Sequence, residues 1–260
     1  ITSTDLYYTK EEFMDLIEEA AAYGVEIVPE IDTPAHSLAL TRVFPELGMT
    51  GDPEAADMLD LSKREAVELG KTLWKEYLTA PTEGEKAVFA DCPTLHLGMD
   101  EYFGDAKDYL AYLEELTACV ARLAPEKELR IWGSLSMKGG DLSGISRGIQ
   151  MQIWDTAWAD PEDMYEAGFS LIHSLSSSLY LIPGGGYDWL DLEFLQEEWE
   201  PNVYSTPERE WVIPDWSPRC LGACYMMWND WAVIQGEEIT EEGLLCPFRE
   251  PLPVIADKLW

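Results

Sequence analysis

Helical and strand signals alternate along this chain, and that alternation restricts its fold more than any other property. Thr9-Lys10-Glu11-Glu12 is a capping box, and Phe13, Leu16, Ile17, Ala20 and Ala21 follow at helical spacing. Gly24 closes that helix, and Val25 to Glu30 reads as a strand running into a loop. Ser62-Lys63-Arg64-Glu65 is a second capping box, opening a helix to about Leu78. Leu95 to Gly98 predicts the next strand, and Leu110, Leu113, Leu116, Val120 and Leu123 mark a third helix. Further strands are expected at Arg130 to Leu135, Ile149 to Trp154, Ser170 to Ser174 and Leu221 to Trp228. Short helices fit at Pro161 to Ala167 and around Leu190 to Trp199. No composition break marks a linker, so residues 1–260 read as one α/β domain on a parallel sheet, either doubly wound or closed as a barrel. The six predicted strands are two short of an eight-stranded barrel.

The segment Thr94-Leu95-His96-Leu97-Gly98-Met99-Asp100-Glu101-Tyr102 carries the strongest chemical signal. An apolar run, a glycine and two adjacent acids is the way an α/β enzyme delivers catalytic groups at the carboxyl end of a buried strand. Unpaired buried charge is costly, so acids in such a place call for a partner or a task. The competing reading makes Asp100 the cap of a following helix, with Glu101 favouring its dipole. Neighbours on a regular strand point to opposite faces, so both acids can serve one pocket only if the strand ends or bends there.

Charge narrows the partners. Fifty Asp and Glu against 17 Lys and Arg give a formal net charge of −33. Such a surface repels phosphate backbones and anionic membranes, which excludes nucleic acid and membrane as expected partners and leaves neutral sugars open. Eleven Trp and twelve Tyr supply aromatic faces that stack on sugar rings or fill a core. The five cysteines, Cys92, Cys119, Cys220, Cys224 and Cys246, show no disulfide framework. Cys220 and Cys224 in one strand would stand about 13 Å apart. Free cysteines and the lack of a visible signal sequence favour a cytoplasmic site. If the chain is a fragment, its opening at Ile1 leaves room for a leader, further domains and a secreted or cell-surface location.

Each predicted strand ends in useful groups: Glu30, Asp32 and His36; then Asp100 and Glu101; then Trp132; then Trp154, Asp155 and Trp158; then Tyr180; and finally Trp228, Asn229 and Asp230. In a parallel barrel these ends share one face. Carboxylates among Trp and Tyr suit a glycosidase, with acids for proton transfer and aromatic walls for the ring. Three dispersed histidines, without metal-type spacing, predict no metal, and no cofactor is expected.

The ordered motifs Val28-Pro29-Glu30-Ile31-Asp32-Thr33-Pro34-Ala35-His36-Ser37, His96-Leu97-Gly98-Met99-Asp100-Glu101 and Trp228-Asn229-Asp230 resemble those of glycoside hydrolase family 20, the β-N-acetylhexosaminidases and lacto-N-biosidases. The resemblance covers nearly the whole chain. It implies a (β/α)8 TIM barrel lacking its first two strands, with about six βα units present, and with them no assignable sugar-binding arginine. It also implies substrate-assisted retention, in which the 2-acetamido oxygen attacks the anomeric carbon and forms an oxazolinium. Glu101 is then the general acid and later the base, and Asp100 holds the acetamido N–H. Tyr180 matches the tyrosine that bonds the acetamido carbonyl, with Tyr187 and Tyr204 as competitors. Trp132, Trp154 and Trp228 match the walls around the N-acetyl group and the sugar ring, and Trp158 is a further wall or core. His36, His96 and Asp32 match residues that orient the acids, while His173 reads as structural. The implied partner is a glycan carrying terminal N-acetylhexosamine, alongside possible further domains of a longer chain.

Three departures stand out. Met99 replaces the second glycine usual before Asp-Glu and is expected to narrow the pocket. Tyr180 is followed by Leu181-Ile182-Pro183 rather than Leu-Asp. Asp230 stands where Glu is common, so the residues that read the 4- and 6-hydroxyls, and the choice between GlcNAc and GalNAc, stay open. Rival readings are a non-catalytic carbohydrate-binding barrel, a lacto-N-biosidase-type enzyme and a two-carboxylate glycosidase.

Overall fold

A computed structural model describes residues 7–134, 137, 140–142, 144–145, 148–205, 209–229 and 240–259. The chain forms two compact units, Ile1–Gln150 and Met151–Trp260.

In the first unit the Thr9 capping box is realised: the Thr9 hydroxyl accepts from Glu12 N–H and the Glu12 carboxylate accepts from Thr9 N–H, opening α1 (Lys10–Ala22). Strand β1 covers Glu30–Thr33, shifted downstream of the expected Val25 to Glu30. Val25 is largely exposed and Pro29 has no N–H to donate, so regular pairing starts only after the proline, whose carbonyl accepts from His96 N–H. β1 pairs parallel with β2 (Thr94–Gly98), and β2 pairs parallel with β3 (Glu128–Trp132). All five β2 residues are buried, as a central strand of a parallel sheet requires. Leu135, the expected end of β3, lies outside the described residues.

The second capping box is not formed. Ser62 turns its hydroxyl to Asp60, Lys63 occupies the cap position without a side-chain bond, and α3 runs Arg64–Leu78 after the short helix α2 (Leu38–Val43). Asp60 wins because its carboxylate sits two residues back, within reach of both the Ser62 hydroxyl and its N–H. Helix α4 (Ala106–Leu123) lays Tyr109, Tyr112, Leu113, Leu116 and Val120 into the core. It meets α3 where Gly70 leaves space: a Cβ there would stand 2.1 Å from the Tyr112 hydroxyl. That hydroxyl also bonds Thr33 Oγ1 at 2.7 Å, tying α4 to the end of β1.

Strand β4 (Ile149–Ile153) spans the boundary between the units. In the second unit α5 (Pro161–Ala167) has the expected bounds, with Asp160 capping its first turn and Gly168 closing it in the left-handed region. β5 (Ser170–His173) pairs parallel with Cys220–Ala223, and Tyr180–Leu181 with Met226–Met227. The single strand expected at Leu221 to Trp228 is therefore two short ones, and the expected helix around Leu190 to Trp199 covers Leu192–Glu197. An antiparallel hairpin, Val203–Ser205 with Glu210–Val212, has no counterpart in the sequence reading. Leu179, Leu181, Leu190, Leu195, Trp199 and Ile255 form the apolar core here. His173 is buried within the same unit, stacked on Tyr204 and accepting from the Trp199 indole N–H at 3.3 Å; desolvation lowers its pKa to about 4, so it stays neutral.

The five cysteines, all among the described residues, form no disulfide. Among the described residues no helix is long and apolar enough to cross a membrane.

Candidate active site

The carboxyl ends of β1 and β2 build the site in the first unit. Gly98 ends β2 at φ +73°, followed by Met99 at +88° and Glu101 at +48°. These left-handed residues break the alternation of the strand, and so the two adjacent acids come to one partner. His36 Nε2 lies 3.1 Å from Glu101 Oε2 and 3.7 Å from Asp100 Oδ2, with Asp57 3.9 Å from Nδ1. His36 is itself left-handed at φ +50°, just after the cis Thr33–Pro34 peptide. Asp100 is not a helix cap: α4 opens later and Asp105 caps it.

Asp32 closes the turn from behind. Its Oδ1 accepts the Met99 N–H at 3.1 Å, and a Cβ on Gly98 would lie 1.7 Å from that oxygen. Only glycine fits that position, on grounds of both space and φ. On the far side the buried Tyr109 hydroxyl donates to the Met99 carbonyl at 2.8 Å.

Around these lies a second cluster. Glu30 Oε1 accepts the Trp132 indole N–H at 2.8 Å and stands 3.3 Å from His96 Nδ1, which accepts from Gly98 N–H at 3.1 Å. His96 and Trp132 rings lie 5.0 Å apart. Trp132 is almost wholly buried, so only an edge of it can face a ligand.

The electrostatics follow from four acids around one imidazole. Asp100 and then Glu101 raise the His36 pKa to about 11, so His36 is a cation at neutral pH, although water reaches 43% of its side chain and screens the pairs. Burial, with Asp100 and Glu30 near, raises Asp32 well above the usual carboxylate range. Burial likewise lifts Glu30 to about 7, opposed by the Trp132 N–H. Asp100 Oδ1 is buried and has no hydrogen-bond partner among the described residues.

Asp32, His36 and Asp100 each bring a ligand atom within 4.8 Å of the others. A metal there would have to displace the proton that the acids hold on His36. A cavity of ≈ 670 Å³ is lined by Glu30, Asp32 and His36 together with Ile27, Val28, Leu73 and other residues; Asp100 and Glu101 are not in its lining.

The other expected site residues fall in the second unit. Trp154 and Trp158 pair at 5.4 Å between ring centroids, and Tyr180 and Trp228 at 5.8 Å. All four are partly exposed. Asp230 lies outside the described residues. The sequence shows neither Glu30's bond to Trp132 nor the bond from Tyr109 to Met99, because Tyr109 falls outside the stripe of Leu110, Leu113, Leu116, Val120 and Leu123 that marks the helix.

The chain is similar to known proteins in sequence and in fold. Residues 2–109, which include both acids, match the family model described as Glycosyl hydrolase family 20, catalytic domain. Residues 2–109 are thus similar to the catalytic domain of glycoside hydrolase family 20. It is 26% identical over 271 residues to a β-N-acetylhexosaminidase of Cellulomonas fimi, covering 98% of this chain and 49% of that protein. It is 22% identical over 268 residues to a lacto-N-biosidase of Bifidobacterium bifidum, covering 94% of this chain and 23% of that one. The chain thus spans between about a quarter and a half of the length of these two relatives. A solved structure of a glycoside hydrolase family 20 β-N-acetylglucosaminidase superposes with a TM-score of 0.67 over 98% of this chain and 55% of its own. At 18% identity that likeness is one of fold.

Proposed function

We propose that this chain carries the acid pair of a retaining glycoside hydrolase that removes terminal β-linked N-acetylhexosamine. One observation carries the reading: two sequence neighbours, Asp100 and Glu101, turn to the same imidazole, at 3.7 and 3.1 Å. In the proposed reaction Glu101 protonates the glycosidic oxygen while the substrate's acetamido oxygen attacks the anomeric carbon. Asp100 accepts the acetamido N–H and offsets the charge that grows on the oxazolinium. Glu101 then takes a proton from water as the ring opens, which returns the β-anomer. His36 lies within reach of both acids, and Asp32 holds the turn behind them.

In the same proposal the family resemblance assigns Trp132, Trp154, Trp158, Tyr180, Trp228 and Asp230 to sugar binding. The fold is a (β/α)8 barrel of which this chain supplies about six units. No cofactor takes part, and the partner is an N-acetylhexosamine-containing glycan, not nucleic acid or membrane. A second reading, release of a disaccharide by a lacto-N-biosidase-type enzyme, is favoured by the relative named so, which aligns with 94% of this chain.

The test is release of p-nitrophenol from the aryl N-acetyl-β-glucosaminide, the galactosaminide and the lacto-N-bioside. Glu101→Gln is expected to lower turnover by about 10²–10⁴-fold, the usual contribution of a general acid. Unchanged turnover would remove Glu101 from the role. Binding without product in the unaltered protein would instead favour a carbohydrate-binding barrel.

A further inference from the structure

We infer that Tyr109 and Asp32 are positioning residues that set the direction of the acid pair by gripping both sides of one strained residue, Met99. The inference rests on the reading of Glu101 as the acid. Met99 is fully buried at φ +88°, in a region that a bulky L-residue occupies only when its surroundings over-determine it. The surroundings here are specific. Asp32 Oδ1 accepts the Met99 N–H at 3.1 Å, and the Tyr109 hydroxyl donates to the Met99 carbonyl at 2.8 Å.

Tyr109 is itself immobilised. It belongs to the first turn of α4, its N–H bonds the carbonyl of the cap residue Asp105, and it is wholly buried. Its ring stacks on Tyr102 with centroids 6.1 Å apart. Burial raises the phenol far above its ordinary range, so the hydroxyl is a proton donor at every pH at which the protein folds. The Tyr109 half of the clamp therefore does not titrate away. Released from it, Met99 would relax toward extended backbone, and the acids that follow would diverge, as neighbours on a strand do.

A residue that positions a general acid leaves a particular kinetic mark. Misplacing the acid slows expulsion of a poor leaving group much more than a good one, because a good one departs without protonation. A merely structural defect lowers all rates alike. The experiment compares kcat/KM for aryl N-acetyl-β-glucosaminides, from 2,4-dinitrophenol to unsubstituted phenol, in the unaltered protein and in Tyr109→Phe. It also compares the crystal structures of the two proteins.

The expected result is a loss on the order of tenfold or more for phenol against less than about threefold for dinitrophenol, a fraction of the 10²–10⁴ that a general acid supplies. In the crystal, Met99 is expected to leave positive φ and Glu101 to move away from His36. Adding Met99→Gly to Tyr109→Phe restores the shallow leaving-group dependence, since glycine holds positive φ unaided. An equal loss across the series, or Met99 unmoved with Glu101 still about 3.1 Å from His36, overturns the clamp. If Glu101→Gln leaves every rate unchanged, the glycosidase reading fails instead, and the crystal comparison still decides the clamp.

Discussion

Gly98→Ala perturbs the bend at its tightest point, and a second glycine provides the control. Gly98 and Gly24 have nearly the same backbone, φ +73° and +72°. A Cβ on Gly24 meets nothing within 4 Å, whereas on Gly98 it would lie 1.7 Å from Asp32 Oδ1 and 2.6 Å from the Asp32 Cα. The oxygen could swing away, but the Cα is backbone and cannot. Gly24→Ala therefore costs only the left-handed penalty, about 1–2 kcal/mol. Gly98→Ala costs that amount plus an overpacking term of about 1–3 kcal/mol. The difference between the two variants, about 1–3 kcal/mol, isolates the collision with Asp32. Urea unfolding followed by far-UV circular dichroism reads both, as a shift in midpoint at unchanged slope. Equal costs for the two variants, within about 0.5 kcal/mol, would refute the claim that Asp32 packs directly under Gly98.

Gly70→Ala ought to stabilise a mid-helix site by roughly 1 kcal/mol on propensity alone, yet its Cβ would sit 2.1 Å from the Tyr112 hydroxyl that bonds Thr33. Net destabilisation is expected on chemical denaturation, and a gain would contradict the packing of α3 on α4. His36 has a folded pKa of about 11, raised by Asp100 and Glu101 from 6.5. Its contribution is full below pH 6.5 and fades as pH climbs toward 11, so the fall in urea midpoint between pH 6 and pH 9.5 should be smaller in His36→Gln. Identical falls would show that His36 is not held by the acids. Glu30, raised by burial to about 7 from 4.5, favours the fold when protonated, and that contribution is lost as pH rises from 4.5 through 7. Because its Oε1 accepts the Trp132 N–H, tryptophan fluorescence of the folded protein should titrate around pH 7 and stop doing so in Glu30→Gln; a titration that survives the substitution would assign it elsewhere.

Which parts of this molecule the sequence announces follows from how local each cause is. The Thr9 cap, Pro161–Ala167 with Asp160 before it, and the buried run Thr94–Gly98 rest on residues within one turn or one strand of each other, and they appear as expected. Ser62 satisfies the capping pattern equally well, but Asp60 two residues back competes for its hydroxyl. Strand β1 starts after Pro29 because pairing, not hydrophobicity, sets its first residue. The acid pair is legible as chemistry, while the bend that unites it is only half legible. Gly98 permits a left-handed turn, but nothing local says that Met99 and Glu101 adopt one too. Their conformation comes from Asp32, 67 residues away, and from Tyr109 on the next helix, contacts that periodicity cannot reveal.

The central claim is that Asp100 receives the acetamido N–H of a substrate whose departing oxygen Glu101 protonates. A stable thiazoline analogue of the bicyclic intermediate probes it directly by calorimetry. Tight binding to the unaltered protein is expected, as for other analogues of high-energy states. In Asp100→Asn the affinity should drop by about tenfold or more, the cost of losing one charge-assisted hydrogen bond of about 1.5–3 kcal/mol. Affinity unchanged by Asp100→Asn, or no heat with the unaltered protein, would contradict the account.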